Sequence, residues 1–365
     1  MVYTSKNELR TSKRAGSMGP MSIADARITL EDVAREAGVS LATVDRVLNR
    51  RPGVREPTAA RVQAAIAKLG YRPDPLAARL ARRETFRFCF ILPSQPNTFM
   101  SNLSEQVSAA AEWIASQRAF IDKLNVDVFD PDALATALEG LGGRYHGVAV
   151  IALDHPRVRA AIDDLVGQGV VVVTLVSDAP TSRRFHYVGV DNTAAGRTAG
   201  TLMGRFAGGR TGTVAVIAGS LALRDHAERQ FGFSQVVNAE YPNLRVLPAR
   251  EGRDQVEQTR AVAEQILSEH PDLVGLYNIG GGNRGVAAAL EASGRAKDII
   301  FIGHDLTIHS RRFLVRGTMD AVINQDPGHE ARSAARVLLA HCAGEPIVAS
   351  QERIRIDIFL RDNVP

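Results

Sequence analysis

From Phe86 to the end of the chain, short apolar runs rich in β-branched residues alternate with amphipathic stretches. FRFCFILP, NVDVF, GVAVIAL, VVVVTLV, YVGV, GTVAVIAG, RVLPA, LVGLYNI, IIFIGHD, DAVINQ and RIRIDIFL read as strands. Between them, VSAAAEWIASQ, DALATALEGL, VRAAIDDLVGQG, AAGRTAGTLMGRF, TRAVAEQILSEH, GVAAALEASG and HEARSAARVLLAHCAG carry helical spacing. A strand followed by a helix reaches its next strand by a crossover, which sets the strands parallel and covers both sheet faces with helices. That many strands overfill one sheet, so the pattern predicts two lobes, one from about 86 to 178 and another beginning near 186. A length of 365 residues likewise exceeds one compact core.

In open α/β sheets, ligands bind outside the carboxyl ends of the strands. Those ends carry Asn97 and Phe99, Asp154, Asn278, Asp305 and Gln325, and Arg229 falls in the helix-start segment AERQFGF. Carboxylates, amides and a guanidinium are the groups that pair with neighbouring hydroxyls, and Phe99 can stack on the apolar face of a ring. The set therefore predicts a sugar or polyol held between two facing sheets.

The segment before this body is different. Residues 1–85 hold 16 Lys and Arg against 9 Asp and Glu, whereas the whole chain has a net charge of only +4. A basic head on a mildly acidic body points to a polyanion partner for the head alone. Residues 1–27 are polar and aperiodic and read as a disordered basic arm. They lack the apolar core of an export signal, so a cytoplasmic location is expected. No apolar run approaches membrane-spanning length.

Thr29 followed by Asp32 forms a capping-box pattern before LEDVAREAG, and Gly38 ends that helix. Ser40 caps a second helix, LATVDRVLN, after a connection of only three residues, GVS. Two helices joined so tightly cross steeply, as in a helix-turn-helix. Pro57 and Thr58 open a third helix whose Val62, Ala65, Ile66 and Leu69 close a small all-α core. The N-terminal residues of the second helix then face base edges, making Leu41, Ala42, Thr43 and Arg46 the candidates for reading sequence. Thr29, Ser40, Asn49, Arg55 and Thr58, with Arg50 and Arg51, are candidates for the double-stranded DNA backbone. In the 73–85 linker, an exposed Leu on one or two helical turns can wedge between base steps in the minor groove.

ITLEDVAREAGVSLATVDRVLN, then RPGV, then LGYRPDPLAARLAR, resembles the head and hinge of the lactose-repressor (LacI-type) family across some fifty residues. The resemblance implies a DNA-binding domain over 28–72, a hinge over 73–85 with Leu80 as the intercalating leucine, and an effector-binding and dimerisation domain over 86–365. Asp45 departs from the usual Ser and puts ordinary operator preference in question. The body resembles a type I periplasmic-binding-protein fold of the ribose-binding branch. Asn97, Phe99, Asp154, Arg229, Asn278, Asp305 and Gln325 match its pocket, and Met100 stands where a second aromatic is usual. The resemblance also implies three crossings between lobes, near 178–186, 322–327 and 345–350. The first lobe would be 86–178 with 327–345, and the second 186–322 with 350–362. A homodimeric regulator of transcription, its operator affinity set by a sugar or polyol, is the function implied.

GGGNRG, residues 280–285, satisfies the dinucleotide-binding fingerprint after a strand, with Asp305 twenty residues on. No catalytic His–Arg–Asp set accompanies it, and a helix-turn-helix head has no role in a dehydrogenase. No phosphate loop, nucleophile elbow or metal-ligand spacing occurs, so no catalytic residue, metal or cofactor is expected.

Overall fold

Thr29 and Asp32 close the predicted capping box. The Thr29 hydroxyl accepts from the Asp32 backbone N–H at 3.3 Å, and the Asp32 carboxylate accepts from the Thr29 N–H at 2.9 Å. Helix α1 (Leu30–Ala37) ends at Gly38, whose φ of 63° is the left-handed cap a glycine takes without strain. Ser40 then caps α2 (Leu41–Leu48), accepting from the Thr43 N–H at 3.3 Å. Helix α3 (Glu56–Leu69) follows. Val33, Val44 and Val62 are fully buried where the three helices meet, with Ala34, Ala37 and Ala65 around them. The computed structural model describes residues 28–49, 51–71 and 84–365. Arg50, the arm 1–27 and most of the 73–85 hinge, Leu80 included, lie outside the described residues.

The chain divides into two compact units, 1–83 and 84–365. The second unit contains two sheets. The first has β1 (Phe86–Pro93), β2 (Ala119–Val126), β3 (Gly147–Val150), β4 (Val171–Leu175) and β5 (His186–Val188) in the order β2-β1-β3-β4-β5, all parallel. The second has β6 (Gly212–Ala218), β7 (Leu244–Val246), β8 (Arg250–Glu251), β9 (Leu273–Asn278), β10 (Ile300–His304), β11 (Ala321–Asn324) and β12 (Asp357–Phe359). Its order is β12-β11-β10-β9-β6-β7, with β8 also on β6, and only β12 is antiparallel. Each central strand is buried on both faces, as parallel sheets covered by helices require.

Three expectations need correction. The second strand is Ala119–Val126, not NVDVF, because it is an edge strand whose outward positions are polar or half-exposed and so break the apolar run. His186–Val188 pairs with β4, so the first lobe extends past 178 and the chain crosses after residue 188. RIRIDIFL contributes only Asp357–Phe359 to the second sheet, because its earlier residues are the last return from the first lobe. The long helix Pro327–Ala343 does return to the first lobe, where Ala331, Ala334, Ala335 and Leu338 pack with Phe88 and Phe90. Cys89 is buried and Cys342 half-buried, both are free, and burial pushes each thiol up to about 11, which leaves them protonated.

Close helix packing in the second lobe positions the site described below. Helices α7 (Asn192–Ala207) and α8 (Arg224–Glu240), numbered in chain order after α4 (Thr98–Ala115), α5 (Pro131–Glu139) and α6 (Pro156–Gly167), meet through glycines. A Cβ on Gly196 would lie 2.1 Å from the Arg229 carbonyl oxygen, and one on Gly232 would lie 2.2 Å from that of Thr193. Backbone cannot yield as a side-chain tip can. Gly232→Ala should therefore cost about 1–3 kcal/mol in denaturant unfolding, as overpacking does, whereas Gly294→Ala, with open space around it, should lose only what its left-handed φ of 72° demands.

Candidate functional site

On the head, α2 presents Leu41, Ala42 and Arg46 to solvent, with Thr43 half-buried. Val44 anchors the opposite face of the same helix. The Thr43 hydroxyl is held 2.9 Å from that of Ser40, so two of the predicted contact residues also build the cap. Thr29 is likewise engaged in its capping box. Arg55 is exposed and Thr58 half-buried at the start of α3. Asp45 accepts from the Asn49 amide at 2.8 Å and from Arg51 at 3.2 Å. The carboxylate that breaks the sequence pattern thus has a neighbouring arginine to balance it. Both side chains are about half exposed, so the pair orients more than it stabilises.

In the body, a cavity of about 170 Å³ opens where the two sheets face each other. Pro96, Asn97, Thr98 and Phe99 line it from the first lobe, and Asp254, Gly280–Arg284, His304, Asp305, Thr307 and His309 from the second. A cleft of this size suits a single ring or short polyol. Both walls come from strand ends at topological switch points, β1 beside β3 and β6 beside β9.

Of the seven predicted ligand residues, Asn97, Phe99 and Asp305 line the cavity. Arg229, Asn278 and Gln325 are buried immediately behind it. The Gln325 amide donates to Asp305 at 3.2 Å, and Asn278 donates to the Gly280 and Gly281 carbonyls and to Asn283. Asp154 does not line the cavity. Its carboxylate lies 3.3 Å from Arg159 and 3.5 Å from Arg224, an ion pair that spans the two lobes. Arg229 donates to Asn192 at 2.8 Å and to the Ile279 carbonyl at 2.9 Å. Its remaining nitrogen, Nη2, has no hydrogen-bond partner, since Asp225 is 4.0 Å away.

Asp254 was not apparent from sequence. It follows a strand of only two residues, in EGRDQ, with no apolar run to mark a strand end. Both Arg253 and Asp254 are held in the left-handed region, φ 48° and 56°, an unusual backbone for non-glycine residues. That loop puts the Asp254 carboxylate within reach of the Gly281 N–H (2.8 Å) and of the Asn97 amide across the cleft (3.2 Å). The same loop sets the Arg253 guanidinium over the Phe129 ring of the first lobe, 5.4 Å from its centre. Glu330, in HEARS, is fully buried.

The glycine fingerprint has a structural use here. A Cβ on Gly281 would lie 2.7 Å from the Asn97 amide, and one on Gly285 would lie 2.2 Å from the Val256 carbonyl. The glycines let this loop close against protein atoms, which accounts for the fingerprint by packing.

The site's electrostatics follow from burial. Asp305, at a φ of 67°, has its carboxyl pushed up to about 6 by desolvation, against the pull of Arg229 and Gln325. Glu330 is raised well above the usual carboxylate range by burial and by Asp305. His304, buried and 2.7 Å from the Tyr277 hydroxyl, is held neutral by burial and by Arg229.

Helix-turn-helix head and two-lobed parallel-sheet body together define a class of protein: a DNA-binding-type head carrying a periplasmic-binding-type domain. The chain belongs to the periplasmic binding protein domain family, whose model matches residues 88–346, and its head matches the bacterial regulatory proteins of the lacI family over 29–74. Over 84 residues it is 42% identical to a catabolite control protein A of Priestia megaterium, 23% of this chain and 25% of that protein. It is 40% identical over 84 residues to the HTH-type transcriptional regulator pepR1 of Lactobacillus delbrueckii subsp. lactis, with the same shares. The match thus spans about a quarter of these curated relatives. Among solved structures, a glucose-galactose binding protein of Geobacillus stearothermophilus overlays with a TM-score of 0.70 at 25% identity, covering 77% of this chain and 99% of that one. An ABC transporter solute-binding protein of Burkholderia graminis, solved with D-arabinose, does so at 0.70 and 23%, covering 76% and 96%.

A buried carboxyl with a raised pKa binds more protons folded than unfolded between pH 4 and 6, so its contribution to stability falls as pH rises through that window. Asp305→Asn removes that loss and also suits the left-handed backbone. The ligand-free variant should be more stable than the parent by on the order of 2 kcal/mol at pH 7.5, with the gap closing by pH 4, read by denaturant unfolding at the two pH values.

Proposed function

We propose that this chain is a sequence-specific DNA-binding regulator of transcription, acting as a repressor, whose operator affinity is set by a sugar or polyol held between the two lobes. The observation that carries the reading is that the cavity wall and the contacts joining the lobes share residues. Asn97 and Asp254 line the cavity and bond to each other across it. A ligand that engages either one changes how the lobes are held, and its differential affinity for the two arrangements is what moves the equilibrium. Behind the wall, Arg229, Asn278 and Gln325 keep buried polar atoms without partners, and Asn97 and Asp305 on it offer the amide and carboxyl that hydroxyls pair with. The solved neighbours, a glucose-galactose binding protein and a solute-binding protein in complex with D-arabinose, agree with that class of ligand.

On the head, Leu41, Ala42, Thr43 and Arg46 read bases in the major groove, and Thr29, Ser40, Asn49, Arg55 and Thr58 contact the backbone. The chain works as a homodimer in the cytoplasm, since a two-fold pair of heads suits a pseudo-palindromic operator. Leu80, in the hinge, is the residue assigned to the minor groove.

Arg46→Ala should relax base preference by roughly 1–3 kcal/mol at one position of the operator, whereas Arg55→Ala should weaken all sequences alike and flatten the salt dependence. Both are read by titrating matched and mismatched duplexes at two salt concentrations. Asp305→Ala should bind operator like the parent and lose its response to the effector. A normal effector response in that variant would remove Asp305 from the pocket.

A further inference from the structure

The buried groups around the cavity are unevenly matched. Three acceptor atoms, Asp225 Oδ1, Asn278 Oδ1 and Gln325 Oε1, are buried without a hydrogen-bond partner. Against them stands Nη2 of Arg229, the charged donor left unmatched, while the buried Glu330 carboxyl, raised well above the usual range, brings one donor and one acceptor of its own. Asp225, Asn278, Gln325, Glu330 and Arg229 are each at least nine-tenths buried. The amide orientations are fixed by their own bonds. The Asn278 nitrogen donates to Gly280, Gly281 and Asn283, and the Gln325 nitrogen donates to Asp305, so the oxygen of each is the atom left over.

Charge is skewed the same way. Asp225, Asp254 and Asp305 carry carboxylates, and Arg229 is the guanidinium buried among them; Glu330 is held neutral and adds no charge. Arg284 lies at the rim and is exposed. Asp154 is already balanced by Arg159 and Arg224 and does not contribute. A neutral polyol brings as many acceptors as donors and leaves the charge excess where it was. An ammonium brings three donors, no acceptor and a positive charge.

Resting on the sugar or polyol reading of this cleft, we infer that the effector carries a free amino group, as an amino sugar or amino polyol does. The Asp305 carboxylate, on the cavity wall, holds the ammonium, and the free oxygens of Asn278 and Gln325 lie buried behind that wall.

The test is isothermal titration of the full chain at pH 7.5 with D-glucosamine, D-galactosamine and 1-amino-1-deoxy-D-sorbitol, each against its neutral parent. N-acetyl-D-glucosamine is the control that keeps the shape and removes the charge. At least one free amine should bind tenfold or more tightly than both its neutral parent and any acetylated form. Asp305→Asn, which keeps the side chain's shape and removes its charge, should abolish that preference, with denaturant unfolding of the same sample as the check that it is folded. Equal or tighter binding of neutral sugars would overturn the amine assignment and leave the sugar cleft standing. No binding by any amine, sugar or polyol would overturn both. An amine preference that survives in Asp305→Asn would also overturn the placement of the ammonium.

Discussion

The body is organised around one buried guanidinium. Arg229 has lost its water, and a charge in that position persists only where fixed groups replace its hydration. The Asn192 oxygen and the Ile279 carbonyl supply that replacement from the start of α7 and the end of β9. Asn192 in turn donates to the Tyr187 hydroxyl at 3.0 Å, and Tyr187 reaches the Val176 carbonyl at 2.9 Å. One chain of hydrogen bonds therefore runs from the cleft through the first crossing into the last strand of the first sheet. The glycine contacts between α7 and α8 set the depth at which the guanidinium sits, and the carboxyl groups gathered near it face a single buried cation.

The second consequence concerns closure. Asn97 with Asp254, Asp154 with Arg224, and Arg253 over Phe129 all join first lobe to second. Leu223, from the second lobe, packs into the first lobe's apolar cluster beside Leu153 and Ala179. Two of these contacts emerge from the strained turn at Arg253 and Asp254, so the arrangement of the lobes and the shape of the cavity wall are not independent. A ligand in such a cleft meets groups that already have another partner, and the exchange between them is the physical basis on which binding is converted into motion.

Much of this was legible in the residues. The capping box at Thr29, the Gly38 stop and the Ser40 cap are local signals, and each forms as read because no distant contact competes with it. The βα alternation was equally clear, since central parallel strands are apolar throughout. Asn97, Phe99 and Asp305 follow such strands and line the cleft, and Asn278, Gln325 and Arg229 lie buried behind it. The strand Ala119–Val126 was misplaced because an edge strand keeps polar residues, and Asp154 was assigned to ligand because a strand end alone does not show an arginine arriving from another lobe.

Local periodicity and turn chemistry, then, determined the elements, their order and the strand ends at which polar groups would converge, because helix caps and buried strands are short-range consequences of neighbouring residues. Tertiary structure alone decided which of those groups face the cavity, which are spent on holding the lobes, and that Asp254 and Glu330 belong among them. Burial and pairing between residues far apart in the chain depend on how two sheets approach each other, and no spacing along the sequence encodes that approach.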